Sequence, residues 1–221
     1  MDYSGALFDD MGQVMSGEIV TDTKRGDDTE KSHSVVTYDS QTHVPKKSVE
    51  KRFAKDGETF VETAVTDYSG TVMTDSGQVV KGDLVTTTWR DEACSVMKSV
   101  ATVTYDQSSQ MPIRSAEDRY AKDGATFLEK AVTDFSQAVY DDAGQVVKGA
   151  LITDTWRDFA GTVKKSHSVV TYDDETHVPK KSVEDRYAKD GTTFVEKAET
   201  DFSQAVFDDA GQMVKGSVTT D

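Results

Sequence analysis

A 67-residue unit repeats along this chain of 221 residues, and no other feature limits the possible fold so strongly. The segment SHSVVTYD begins at Ser32 and again at Ser166, and its counterpart SVATVTYD begins at Ser99. Each copy therefore lies 67 residues after the one before. The first segment, DYSGALFDDMGQVMSGEIVTDT, matches the second half of a unit. Tandem repeats stack one supersecondary motif on the next, so each unit must hold complete local structure.

The repeat predicts a single domain that covers residues 1–221. Its parts are a partial repeat at 1–31, complete repeats at 32–98 and 99–165, and a truncated repeat at 166–221. The segments 32–87 and 166–221 are identical at about two thirds of their positions, spread over predicted turns and strands alike. An active site requires particular residues at only a few positions, whereas a lattice or a fibre repeats the whole unit.

A finer pattern lies inside each unit, where segments open with an aromatic residue followed by Asp, Lys or Gly. Thirteen openings occur, and only Lys24 and Met73 lack the aromatic residue. They lie at positions 8, 24, 38, 53, 73, 89, 105, 120, 140, 156, 172, 187 and 207. Asp caps its own turn and Gly supplies a positive φ, so the openings predict hairpin turns. The intervening Val- and Thr-rich segments indicate strands of roughly ten to twelve residues.

The fold class that follows is all-β. We predict a long antiparallel meander of about 14 strands in three 67-residue repeats plus a partial N-terminal repeat. The segment from Phe194 has polar and apolar residues on both faces, and only 36% of the chain is hydrophobic against 29% charged. A deep core is therefore not expected, and the sheet is expected to be extended, curled into a shell or closed as a large barrel.

One irregularity recurs in the third strand of every unit, which is about four residues longer than the others. It carries DYSG or DFSQ, at 2–5, 67–70, 134–137 and 201–204. We interpret it as a β-bulge or as a strand that overhangs its neighbours, and the alternative is a repeated binding edge.

The openings YDDAGQVV, YDDETHVP and YAKDGTTFV resemble the YD repeats of the Rhs-type proteins, which are secreted or surface-exposed bacterial proteins. The resemblance covers most of the chain as a pattern. This chain differs from the family in the spacing between its successive openings, which averages near 17 residues and is shorter than the YD unit. The resemblance implies an extended, surface-exposed β-scaffold, and no functional residue is carried over from it.

The acidic turns raise the question of calcium. Asp141 and Asp142 with a nearby carbonyl offer about three oxygens, whereas Ca²⁺ takes six to eight. The counterpart MTDSG keeps only Asp75 of such a pair. We therefore expect turn-capping aspartates and no cofactor, and weak Ca²⁺ binding between neighbouring acidic turns is the alternative.

No catalytic, cofactor-binding or metal-binding residue is expected. The chain has no GxSxG, no glycine-rich phosphate loop and no HExxH, so we predict that it is not an enzyme. His33, His43, His167 and His177 occupy equivalent places in two units, where the middle unit has Val100 and Gln110. We interpret these histidines as surface strand residues.

The best candidates for a contact with a glycan or a partner are Trp89, Arg90, Trp156 and Arg157, because both pairs stand in TW-R-D and an indole beside a guanidinium can stack on a sugar. The alternative is that the indole packs over an adjacent strand while the arginine pairs with an aspartate. The partial repeat has Lys24 in place of the tryptophan.

The charge and the remaining composition limit the partners. Forty acidic and 25 basic residues give a net charge of −15, which disfavours nucleic acid as a partner. No apolar run approaches the length of a membrane span, Cys94 is the single cysteine, and no signal peptide is visible. We expect an extracellular or cell-surface location, with a cytoplasmic one as the alternative.

Together these patterns favour a non-enzymatic structural or surface β-repeat protein that self-associates through its sheet edges into a fibre or matrix. The first alternative is a multivalent lectin or adhesin with one site per repeat. The second is a large β-barrel that holds a small apolar ligand.

Overall fold

The structure is a computed structural model that describes residues 1–74, 77–141, 144–207, 213–217 and 219–220. Those residues form eighteen strands and no helix, which confirms the all-β prediction. The strands are β1 (Ala6–Phe8), β2 (Val14–Lys24), β3 (Glu30–Tyr38), β4 (Pro45–Phe53), β5 (Phe60–Asp67), β6 (Thr71–Met73), β7 (Val79–Trp89), β8 (Met97–Tyr105), β9 (Pro112–Tyr120), β10 (Phe127–Asp134), β11 (Ala138–Tyr140), β12 (Val146–Trp156), β13 (Lys164–Tyr172), β14 (Pro179–Tyr187), β15 (Phe194–Asp201), β16 (Ala205–Phe207), β17 (Met213–Gly216) and β18 (Thr219–Thr220).

The chain divides into two compact units. The first comprises Met1–Gln110 and Glu117–Phe127, and the second comprises Met111–Ala116 and Leu128–Asp221. The strand β9 is therefore shared between them. Among the described residues, no helix has the length and apolar composition that crossing a bilayer requires.

The first unit is an antiparallel meander in the order β1-β2-β3-β4-β5-β7-β8, with β6 also paired to β7. In the second unit the order is β10-β12-β13-β14-β15-β18, with β11 paired to β12, and β16 and β17 form a separate hairpin. The predicted antiparallel meander is confirmed. In the described part of each unit the first and last strands do not pair, so neither unit closes into a barrel.

The strands are shorter than predicted, except for one in each repeat. The strands β2, β7 and β12 have 11 residues, whereas the others that span the sheet have eight or nine. The difference arises because the turns use more residues than the Asp–Gly pattern alone requires. The turn after β3, for example, occupies residues 39–44 between Tyr38 and Pro45.

The recurring DYSG segment splits a strand in two. The strand β5 ends at Asp67, whose Oδ1 accepts a hydrogen bond from the Ser69 amide at 2.8 Å, and the chain resumes as β6. Both pieces pair with the long strand β7, which meets β6 through its first half and β5 through its second. The extra length is therefore a tight turn between two collinear pieces.

A glycine in the long strand makes that turn possible. Gly149 has a φ of 90°, and a Cβ there would lie 1.9 Å from the carbonyl oxygen of Gln137 in the facing turn. Glycine occupies the same place in every copy, with φ between 90° and 98°. The positions are Gly17, Gly82, Gly149 and Gly216.

The predicted lack of a deep core agrees with the burial of the described side chains. Ala64 is the one hydrophobic residue among them that falls in the buried class, at 8% exposed. Half-buried valines form a row across the first unit, because Val20, Val35, Val49 and Val65 are successive register partners. Many such small cross-strand contacts stabilise the sheet, each contributing about 0.2–1 kcal/mol.

Candidate contact site at the Trp-Arg turns

The predicted contact residues lie where a long strand enters a turn. Trp89 ends β7 and Trp156 ends β12, and Arg90 and Arg157 are the first residues of the turns that follow. We call these the Trp-Arg turns, residues 90–96 and 157–163. The partial repeat has a counterpart at 25–29, which is two residues shorter and begins with Arg25.

Each arginine joins its own turn to the neighbouring hairpin. Arg157 donates from Nη1 to the carbonyl oxygen of Lys164 at 2.8 Å and from Nη2 to that of Tyr187 at 2.9 Å. Arg90 donates to the carbonyl oxygen of Tyr120 at 2.9 Å. The guanidinium groups therefore bind main-chain carbonyls, and the predicted pairing of arginine with aspartate does not describe their contacts.

The shorter turn makes the same contacts without a tryptophan. Arg25 donates to the carbonyl oxygens of Glu30 and Phe53, the second at 2.8 Å. The element common to all three turns is therefore the arginine. Arg25 was not among the predicted contact residues because Lys24 stands in place of the tryptophan, although the alignment of RGDDT with RDEACSV and RDFAGTV indicates it.

The hairpin held by each arginine also approaches the turn directly. Gly191, with a φ of 76°, lies so close to the start of β13 that a Cβ there would be 2.7 Å from the Lys164 amide nitrogen. Gly124 makes the equivalent approach to the Met97 amide nitrogen at 2.7 Å. The arginine and the glycine together fix two neighbouring hairpins at one end of the sheet.

An aspartate closes each Trp-Arg turn from inside. The Asp158 Oδ1 accepts hydrogen bonds from the amides of Thr162 at 3.0 Å and Val163 at 2.7 Å. The Thr162 hydroxyl adds a bond to Oδ2 at 2.6 Å, and these hydrogen bonds lower the pKa of Asp158. The carboxylate therefore has little capacity left for an external cation or sugar.

The indoles are half-buried. The Trp156 ring packs against Gly161, and the Lys164 ammonium lies 5.9 Å from the ring centroid. The register partner of Trp156 on the adjacent strand is Lys130. The predicted contact residues thus form two separate pairs, one in each unit, and their role in binding a glycan or a partner stays a prediction.

The other acidic turns follow the same capping pattern. Hydrogen bonds from Thr126 lower the pKa of Asp123 to about 2, and those from Thr193 do the same for Asp190. Asp141 Oδ1 accepts a hydrogen bond from the Gln145 amide at 2.8 Å. Its predicted calcium partner Asp142, like Asp75 of the MTDSG turn, lies outside the described residues.

The histidines divide into two kinds. His33 lies on β3 and His167 on β13, as predicted, but each pairs with an aspartate of the preceding strand. His43 and His177 lie in turns with φ near 60°, so the prediction of strand residues is wrong for these two. Asn, Asp and His tolerate this left-handed conformation better than most residues, and Gln110 adopts it in the middle repeat.

The chain was compared with protein-family models and with curated proteins. No protein-family model matches the chain, and no curated protein matches it. Inferences about function therefore rest on the residues and their geometry.

Proposed function

We propose that this is a non-enzymatic structural β-repeat protein whose copies associate head to tail through their sheet edges. The proposal rests on two strand segments that lack a strand partner on one side among the described residues. Their counterparts in the other repeats pair with each other inside the chain. These segments are the second half of β2 and most of β15. An unpaired strand edge accepts backbone hydrogen bonds from another chain.

The first edge lies on β2. The long strands β7 and β12 pair through their second halves with β5 and β10, in the registers Ala64↔Thr88 and Ala131↔Thr155. The equivalent half of β2, from Thr21 to Lys24, has no such partner among the described residues, because β1 pairs with the first half and Asp2 bridges to Val20. On this side, no strand that the structure describes pairs with these four residues.

The second edge lies on β15, which is the counterpart of β5 and β10. Its inner side pairs with β14 from Phe194 to Asp201, and β18 covers only Thr200 and Asp201 on the outer side. Residues 194–199 therefore lack an outer strand partner in the described part of the chain. Pairing this edge with β2 of a second copy would repeat the β5–β7 register and set Ala198 opposite Thr23.

Two pairs of like charges oppose that association. In the repeated register Glu199 faces Asp22 and Lys197 faces Lys24, and directly opposed like charges destabilise a strand pair. Glu199 also stands where earlier repeats have Val65 and Val132, and it ends a row that begins with Ile152, Val169 and Val183. A charge placed on an edge strand limits association, so we expect the wild-type contact to be weak.

Replacing that charge tests the proposal. The change Glu199→Val restores the residue of the other repeats and removes the repulsion with Asp22, so it should strengthen association by about tenfold or more. Sedimentation velocity over a concentration series measures the effect. The control is Glu58→Val, which makes the same chemical change in an exposed turn and should leave the association constant unchanged. A protein that stays monomeric with Val at position 199 up to millimolar concentration contradicts edge association.

A further inference from the structure

The hairpin of β2 and β3 brings together the side chains of Asp22, Glu30 and His33, and the proposed edge pairing uses only Asp22 among them, as a charge opposite Glu199. Asp22 and His33 are register partners, and Lys24 and Glu30 form the second pair beyond them toward the turn, after Thr23 and Ser32. The His33 Nδ1 lies 2.6 Å from the Asp22 Oδ1. One ligand atom from each of Asp22, Glu30 and His33 can be chosen such that all three lie within 4.8 Å of one another.

The hairpin of β12 and β13 contains the same Asp–His pair with a cation beside it. The His167 Nδ1 lies 2.9 Å from the Asp154 Oδ1, and Lys164 occupies the place of Glu30. The Lys164 ammonium binds the same Asp154 oxygen at 2.8 Å. Burial opposes ionisation of Asp154, but the hydrogen bonds from Lys164 and His167 outweigh burial and lower its pKa. In this hairpin the Lys164 ammonium supplies the positive charge.

The hairpin of β2 and β3 replaces that positive charge with a third ligand. Glu30 brings a second carboxylate to the Asp–His pair, and neither Asp22 nor Glu30 forms an ion pair with a lysine or arginine among the described residues. The lysines at neighbouring register positions bind elsewhere, since Lys24 pairs with Asp28 at 3.0 Å and Lys51 with Glu92 at 3.1 Å. The two carboxylates are therefore left without a cation of their own.

We propose that Asp22, Glu30 and His33 bind a divalent first-row transition ion of the zinc class. Imidazole and carboxylate ligands suit such ions, which bind them at about 2.0–2.2 Å, whereas Ca²⁺ takes oxygen ligands alone. Ligand atoms around a tetrahedral ion are about 3.4 Å apart at those bond lengths, which small side-chain rotations reach from the present spacing. The Asp22 and His33 side chains are 57% and 37% exposed, so an ion and its remaining water ligands can enter.

Calorimetric titration with ZnCl₂ tests the site, using a Cys94→Gly background so that the single thiol cannot contribute. The parent protein should bind about one Zn²⁺, and Glu30→Lys, which copies Lys164 of the hairpin of β12 and β13, should weaken binding by at least about tenfold. His33→Gln should have a similar effect. Circular dichroism reports whether each variant keeps its sheet content.

The hairpin of β12 and β13 supplies the reciprocal experiment. The change Lys164→Glu recreates the ligand set of the hairpin of β2 and β3 around Asp154 and His167, so it should raise the stoichiometry from about one Zn²⁺ to about two. The proposal is overturned if Zn²⁺ does not bind the parent protein, or if it binds equally to the parent, Glu30→Lys and His33→Gln proteins. Because the site lies within one chain, monomeric protein that binds Zn²⁺ would refute edge association alone.

Discussion

Replacing Gly149 with alanine should lower the free energy of unfolding by about 3 kcal/mol or more. The alanine Cβ would lie 1.9 Å from the Gln137 carbonyl oxygen, a backbone atom that cannot rotate away, and the φ of 90° adds strain for any side chain. Relief requires that the turn between β10 and β11 separate from β12. Urea denaturation followed by circular dichroism measures the change.

The matched control is Gly161→Ala in the same unit. Gly161 also has a positive φ, of 72°, but its nearest neighbours are the Trp156 ring atoms at 3.9 Å, which is ordinary contact. The chain already accepts a side chain at the equivalent position, because Cys94 stands there with a φ of 54°. We expect a loss of about 1 kcal/mol from backbone strain alone. Equal losses for the two variants would show that the close approach of the turn is not what requires Gly149.

Replacing Arg157 with methionine should lower the free energy of unfolding by about 2–3 kcal/mol. Methionine keeps the apolar stem but removes both donors, which leaves the carbonyl oxygens of Lys164 and Tyr187 without the guanidinium between them. Hydrogen exchange should show the loss first in the turns after β12 and β14. Urea denaturation gives its total size.

Arg186→Met is the control for the loss of an arginine as such. Arg186 pairs with Glu184 at 2.8 Å and Glu196 at 2.7 Å, but its side chain is half exposed, and exposed ion pairs contribute little to stability. The Arg157 variant should therefore lose clearly more stability than the Arg186 variant. If the order is reversed, the arginine of the Trp-Arg turn does not hold the two hairpins together.

Local chemistry was sufficient to predict most of the fold. The Asp–Gly turns and the Val- and Thr-rich segments predicted an antiparallel meander because a capping carboxylate and a positive φ depend on neighbours within a few residues. The split of β5 from β6 could not be seen in this way. It depends on the close approach of Gly82 to the carbonyl oxygen of Gly70, 12 residues earlier in the sequence, which the pairing of β6 with β7 brings about.

The candidate site was predictable in composition but not in contacts. The Trp-Arg pairs were visible, yet the partner of Arg157 is a carbonyl oxygen 30 residues away on another hairpin. The pairing of Asp22 with His33 was missed because it depends on strand register across a turn that is two residues shorter than its counterparts. Comparison of the two Asp–His spacings, 11 and 13 residues, with the loop lengths would have indicated it.

In the proposed assembly, β15 of one copy pairs with β2 of the next in the register used inside the chain. Cysteines at Thr23 and Ala198, in the Cys94→Gly background, test it directly, since directly opposed residues have Cα atoms about 4.5–5.5 Å apart, within disulfide range. Mild oxidation should give a ladder of disulfide-linked oligomers on a non-reducing gel. A control with cysteines at Thr23 and Lys197 should not, because adjacent residues point to opposite faces of the strand. No ladder for the first pair, or equal ladders for both, would contradict head-to-tail pairing in this register.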